Sequence, residues 1–315
     1  MEKGLKRSCV MMVVAFLAMV HVSVSVPFII LHEIGTQCSD ATNANFTQLL
    51  TNLSGSPGFC LEIGNGISDS WLMPLTRQAE IACEKVKQME ELSQGYSIVG
   101  RAQGNLVARG LIEFCDDGPP VHNYVSLAGP HAGIAVLPRC TRSGLLCDVA
   151  NGLGNETVYS DFVQDNLAPS GYFKDPKNVT EYLKGCKYLP KLNNERPADQ
   201  RNQTYKDRFT SLQKLVFVLF QNDTVIVPKE SSWFGFYPDG DFTHVLPVSQ
   251  TKLYIEDWIG LKALALARKV QLVIVPGAHL IIADEDLVNY VVPLLEDQVS
   301  AAPRLNRKTK EPLHP

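Results

Sequence analysis

Short apolar runs alternate along this chain with stretches of helical spacing. Val26 to Leu31 is rich in Val, Ile and Phe and breaks into His32-Glu33-Ile34-Gly35, the pattern of a buried strand ending in a loop. Arg77 to Leu92 mixes Ala, Glu, Lys, Gln and Met without Gly or Pro, which predicts a helix. Tyr96 to Val99 predicts a second strand, ending at Gly100. Leu106, Val107, Gly110, Leu111 and Phe114 then recur at helical spacing, and Val121 to Leu127 reads as another strand, closed by Gly129-Pro130. From about residue 130 to 212 the periods are broken by Asn, Gly and Pro. That stretch predicts an irregular, partly helical insertion. Strands return at Leu215 to Phe220 and Val270 to Val275, with a helix near Asp257 to Arg268 between them. Strands that alternate with helices predict an α/β class and a mostly parallel sheet with helices on both faces.

The two ends differ from this pattern. Lys3, Lys6 and Arg7 precede an unbroken apolar run from Cys9 to Val20, and Ser23-Val24-Ser25 offers small residues for cleavage. Residues 1–25 therefore predict a secretory signal peptide, the run being shorter than the about 20 residues a membrane span needs. Residues 26–303 then form one α/β domain, and 304–315 a polar, basic, disordered tail. No stable membrane span is expected after cleavage.

Composition narrows the function classes. Formal net charge is -4, so no basic field is present to hold nucleic acid. Cys38, Cys60, Cys83, Cys115, Cys140, Cys147 and Cys186 lie outside the leader and would mostly pair in an oxidising lumen. They show no CxxC and no zinc spacing, and no metal or cofactor is expected. Asn-x-Ser/Thr sequons stand at Asn45, Asn52, Asn155, Asn178, Asn202 and Asn222, as expected of a lumenal glycoprotein.

One constellation carries chemistry. Gly100-Arg101-Ala102-Gln103-Gly104 sits between a strand and a helix, where the G-x-S-x-G nucleophile elbow of a hydrolase belongs. The frame is there, but its middle residue ends in a methyl group. Asp223 follows the strand to Phe220, and His279 follows the strand to Val275. That is the chain order nucleophile, acid, base, at the strand ends where such sheets gather their sites. Surface Asp and loop His are the plainer readings of the same two residues.

Around these residues the chain resembles the palmitoyl-protein thioesterases. The resemblance runs from about residue 27 to 296. Asn222-Asp223-Thr224-Val225-Ile226-Val227-Pro228 and Trp233-Phe234-Gly235-Phe236-Tyr237 carry it most specifically. Gln94-Gly95-Tyr96, Leu137-Pro138-Arg139-Cys140 and Leu253-Tyr254 add to it. The resemblance implies an α/β-hydrolase fold, removal of long-chain acyl groups from cysteines of S-acylated proteins or peptides, and a lysosomal, vacuolar or extracellular location. It aligns Asp223 and His279 with the catalytic acid and base. It assigns the oxyanion hole to the backbone N–H groups of Ile34 and Gln103. It implies disulfides Cys83–Cys115 and Cys140–Cys147; the pairing among Cys38, Cys60 and Cys186 stays open, Cys38–Cys60 being one choice.

Departures from the family lie at the same place. Ala102 replaces the serine. The family's loop reads His-Gly-x-Gly-Asp, where this chain has His32-Glu33-Ile34-Gly35-Thr36. A Glu33 carboxylate there is expected to oppose a developing oxyanion. The chain thus reads as a catalytically impaired thioesterase, with a non-catalytic binder of acylated peptides or lipids as the alternative. A third reading is hydrolysis by another nucleophile, with Ser97 the nearest hydroxyl, or by water held on His279. His131, His122 and His244 read as structural or surface residues.

Overall fold

A computed structural model of the chain describes residues 26–137 and 157–296. Six strands form one sheet in the order β2-β1-β3-β4-β5-β6, and every pairing is parallel. They are β1 Phe28–Leu31, β2 Gly58–Cys60, β3 Tyr96–Arg101, β4 Val121–Leu127, β5 Lys214–Phe220 and β6 Val270–Val275. Parallel neighbours require crossovers. Helix α1 (Ala41–Ser54) joins β1 to β2, α2 (Ile67–Leu72) and α3 (Leu75–Gln88) join β2 to β3, and α4 (Gly104–Phe114) joins β3 to β4.

The period of two along each strand divides the core between the two faces. Ile29, Leu31, Ile98, Tyr124, Leu215 and Phe217 pack toward Ala79 and Val86 of α3 and Leu106 and Leu111 of α4. Phe28, Ile30, Val99, Val125, Val216 and Val218 face the other way, onto Leu50 of α1 and Leu287, Val291 and Val292 near the C-terminal end. Both faces are covered, so the inner strands are buried along most of their length. This is the α/β-hydrolase arrangement.

Helix α1 was not legible from its Asn- and Thr-rich sequence. Its apolar positions Phe46, Leu49, Leu50 and Leu53 nevertheless repeat at helical spacing and pack on the second face. Gly55 ends it in the left-handed region at φ 71°, donating its N–H to Thr51 O at 2.9 Å. The helix expected from Asp257 to Arg268 is shorter, Leu261–Leu266.

Between β4 and β5 the described chain is mostly short helices, Asp161–Asn166, Val179–Gly185, Leu189–Leu192 and Gln203–Ser211. A buried ion pair fastens this region to α4. Arg109 and Glu113, one helical turn apart and both fully buried, meet at 2.9 Å. Arg109 also donates to Asn193 Oδ1 at 2.7 Å and to Leu192 O at 3.1 Å. Burial pushes the Glu113 carboxyl up to about 7, against the pull of Arg109.

Disulfides join Cys38 to Cys60 and Cys83 to Cys115, with Cα atoms 5.6 and 5.4 Å apart. Both separations suit an unstrained bridge. Cys186 is a buried free thiol, and burial pushes its pKa up to about 12. The expected Cys140–Cys147 pair, Asn155, the leader and the basic tail lie outside the described residues.

Candidate active site

The strand register brings the site together. Leu31 of β1 lies beside Gly100 of β3, and Arg101 of β3 beside Leu127 of β4. Phe220 of β5 lies beside Val275 of β6. The loops that leave these strands therefore emerge at one edge, and they carry Glu33, Ala102, Asp223 and His279.

At the end of β3 the chain reverses sharply into α4. Ala102 has φ +43°, a region L-residues avoid. Its N–H donates to Leu127 O at 2.9 Å, and the Asn105 amide donates to Leu127 O at 2.9 Å and Ala102 O at 3.1 Å. The flanking glycines are required by contact. A Cβ at Gly100 would lie 2.2 Å from Asn105 Oδ1, and one at Gly104 would lie 2.3 Å from Leu31 O. The turn leaves the methyl group of Ala102 on the wall of a cavity of about 150 Å³.

His279 stands on the same wall. Its Nδ1 meets Asp223 Oδ2 at 2.7 Å. The other oxygen of Asp223 accepts from the N–H groups of Val225 at 2.8 Å and Ile226 at 3.1 Å. The loops of the two residues are laced together by Asn222 N–H donating to Gly277 O at 3.0 Å. Asp223 is buried while its neighbour Asn222 is exposed, so a modified Asn222 and an inward Asp223 are compatible. With Nδ1 committed to Asp223, Nε2 has no partner among the described residues.

Two residues of the neighbouring loops line the same space. Ile34 and Gln103 line the cavity, and among the described residues neither N–H has a hydrogen-bond partner. The side chain of Gln103 is held elsewhere, donating to Ser70 O at 2.6 Å and accepting from Tyr172 Oη at 3.0 Å. Ile134, Val225 and Ile226 supply apolar wall. An imidazole with an oriented ring and two free N–H groups can polarise a carbonyl and move a proton.

Arg101 has a role the sequence did not reveal. It is 5% exposed, and its guanidinium faces the carboxylate of Glu33, with Nε–Oε2 at 3.2 Å and Nη2–Oε1 at 3.3 Å. The first contact is ionic rather than aligned as a hydrogen bond. Nη1 donates to Asn43 Oδ1 at 3.1 Å, and the group sits 4.7 Å above the Phe46 ring. Burial lowers the Arg101 pKa while Glu33 raises it. The Glu33 carboxylate, expected to oppose a developing oxyanion, has its charge met by Arg101. The available signal was a lone arginine at the end of an apolar strand.

The other singled-out residues lie apart. Ser97 is buried, and its hydroxyl donates to Leu294 O at 3.3 Å. His131 is fully buried, bonded to Ser126 Oγ at 2.7 Å and stacked on Phe234. His122 meets the side chain of Gln213, and exposed His244 pairs with Asp241. His32, Cys38 and Glu62 cluster closely enough to suggest a metal site. Cys38 is in a disulfide and His32 Nε2 is already bonded to Glu62 at 2.9 Å, so the set offers no thiolate ligand.

Comparisons with known proteins agree with one another. Palmitoyl-protein thioesterase 1 of Caenorhabditis elegans is 34% identical over 273 residues, covering 85% of this chain and 90% of that protein. Palmitoyl-protein thioesterase 3 of Dictyostelium discoideum is 36% identical over 204 residues, covering 65% and 68%. A lysosomal thioesterase PPT2 homolog of Drosophila melanogaster is 31% identical over 189 residues, covering 59% and 62%. Among solved structures, a serine hydrolase involved in carbazole degradation aligns over 86% of this chain and 90% of its own, at 16% identity and a TM-score of 0.42. The family described as "Palmitoyl protein thioesterase" matches residues 27–279, and the chain belongs to that family.

Proposed function

We propose that this chain receives long-chain S-acyl groups in a thioesterase site that has lost its nucleophile, and that it binds them with hydrolysis strongly impaired. The observation that carries this is Ala102, at φ +43° on the strand–helix turn and on one cavity wall with His279. With a serine there, the hydroxyl would attack the acyl carbon and pass its proton to His279 Nε2. Asp223 would hold the ring, and the N–H groups of Ile34 and Gln103 would receive the oxyanion. A methyl group forms no acyl bond. Losing such a nucleophile costs on the order of 10⁶ in turnover, and the remaining groups sustain about 10³–10⁴ over water.

Among the described residues, two serines on the strands beside the elbow offer no substitute. Ser97 points to Leu294, and Ser126 is fully buried with His131. Among the described residues no helix is long and apolar enough to cross a membrane. Relatives named as lysosomal thioesterases, the leader and the sequons together favour a glycosylated protein of the secretory pathway, destined for the lysosome, vacuole or exterior.

The test combines two measurements on purified protein. A fluorophosphonate probe is expected to leave the chain unlabelled, and palmitoyl thioester cleavage is expected to be very slow. A palmitoyl thioether peptide, which cannot be cleaved, is expected to bind. Stoichiometric labelling of any serine would overturn the impairment, and absence of thioether binding would overturn the binding role.

A further inference from the structure

Resting on that reading, we propose that the ligand this site prefers is a free long-chain carboxylate rather than an acyl thioester. The argument is one of oxygen atoms. Both ligands offer one oxygen to the N–H groups of Ile34 and Gln103. Only the carboxylate has a second. In a serine site that second position, between the elbow and the imidazole, is filled by the hydroxyl. Here the turn ends in the methyl of Ala102, and His279 Nε2 has no partner there among the described residues. A carboxylate's second oxygen takes that place and pairs with Nε2 through one hydrogen bond.

Charge allows it. Glu33 lines the same cavity, but its carboxylate is held by Arg101 at 3.2 Å, so an anion does not meet an uncompensated negative group. Ile34, Ile134, Val225 and Ile226 offer apolar wall to the first methylenes. A thioester places sulfur and a bulky thiol group where the second oxygen would lie, and it offers Nε2 no oxygen there.

The experiment compares [1-¹³C]palmitate, methyl palmitate and a palmitoyl thioether peptide by titration, with the ¹³C shift reporting the carboxylate's surroundings. Palmitate is expected to bind tighter than either neutral ligand by about tenfold or more, the weight of one charge-assisted hydrogen bond. Ala102→Ser puts a hydroxyl into the carboxylate's place and is expected to abolish the margin of palmitate over the palmitoyl thioether peptide, which the restored serine cannot cleave. His279→Leu is expected to abolish the margin as well. Equal affinity of palmitate and the neutral ligands would overturn this proposal while leaving the thioesterase-site reading intact. So would a margin that survives Ala102→Ser. Failure of all three ligands to bind would overturn both.

Discussion

Ala102→Ser adds one oxygen to a turn already bent to carry it. The His279–Asp223 contact is formed at 2.7 Å, and Glu33 is paired with Arg101. The substitution alone is therefore expected to restore fluorophosphonate labelling and to raise thioester turnover by a factor of at least about 10² of the roughly 10⁶ a nucleophile supplies. Unchanged turnover would show that the site is spoiled elsewhere. Glu33→Gly, by contrast, is expected to harm the protein. It leaves the Arg101 guanidinium buried without its counter-charge, at a cost of up to about 3–5 kcal/mol. Adding Arg101→Met should recover most of that loss in urea unfolding, and a purely additive double mutant would disprove the coupling. The elbow was readable from its glycine spacing, while Asp223 and His279 were singled out by chain order together with the family resemblance. The Glu33–Arg101 pair was not, because the partners are 68 residues apart and nothing local ties an acid in a loop to a base in a strand.

Helix α4 links the site to the region that follows β4. Its N-terminus forms the elbow, while Arg109 and Glu113 are buried at its back. Both strands flanking it, and the helix itself, were visible in the apolar periods. The buried pair was hidden, because charged residues at helical spacing normally face water. This pair predicts a pH dependence of stability. Burial raises Glu113 from its ordinary 4.5 to about 7, so the folded state binds the proton more tightly than the unfolded chain. The contribution is present below about 4.5 and is lost as pH rises toward 7. Buried His131 acts in the opposite sense, since its pKa lies well below 6.5: its contribution is present above 6.5 and lost as pH falls. The difference in unfolding free energy between the natural chain and Glu113→Gln isolates the first effect. It should fall steadily from pH 4.5 to 7, and a flat difference would show that Glu113 stays ionised.

At the scale of the molecule, two disulfides among the described residues brace the fold. Cys83–Cys115 closes a loop of 32 residues between α3 and the end of α4, which corresponds to about 4 kcal/mol by chain entropy. Paired replacement of both cysteines by alanine should lower stability by that order, and a loss under about 1 kcal/mol would show the bridge to be passive. The sequons divide in a similar way. Asn45, Asn52, Asn178 and Asn222 are exposed, whereas Asn202 is half-buried and its Oδ1 caps the helix Gln203–Ser211. Glycopeptide mapping should find the first group modified more fully than Asn202. The parallel sheet followed from the alternation of strands and helices, whereas the strand order and the three-residue β2 did not. The path between β4 and β5 did not, because its short helices owe their place to tertiary contacts rather than to a repeat of their own.

The left-handed backbone at Ala102 has an effect on the fold as a whole. A bent elbow is useful to an enzyme because it thrusts a reactive group forward. Without that group the bend persists as standing tension, present in every folded molecule whether or not a ligand is near. Glycine would release it, since φ +43° costs glycine almost nothing, although glycine also loosens the unfolded chain. Ala102→Gly should therefore leave stability unchanged or raise it by up to about 1 kcal/mol, some fivefold in the ratio of folded to unfolded molecules. In an ordinary buried position the same change would lower it. A chain that gains from surrendering its β-carbon here is carrying the shape of a reaction as a mechanical load, and a urea midpoint is enough to weigh it.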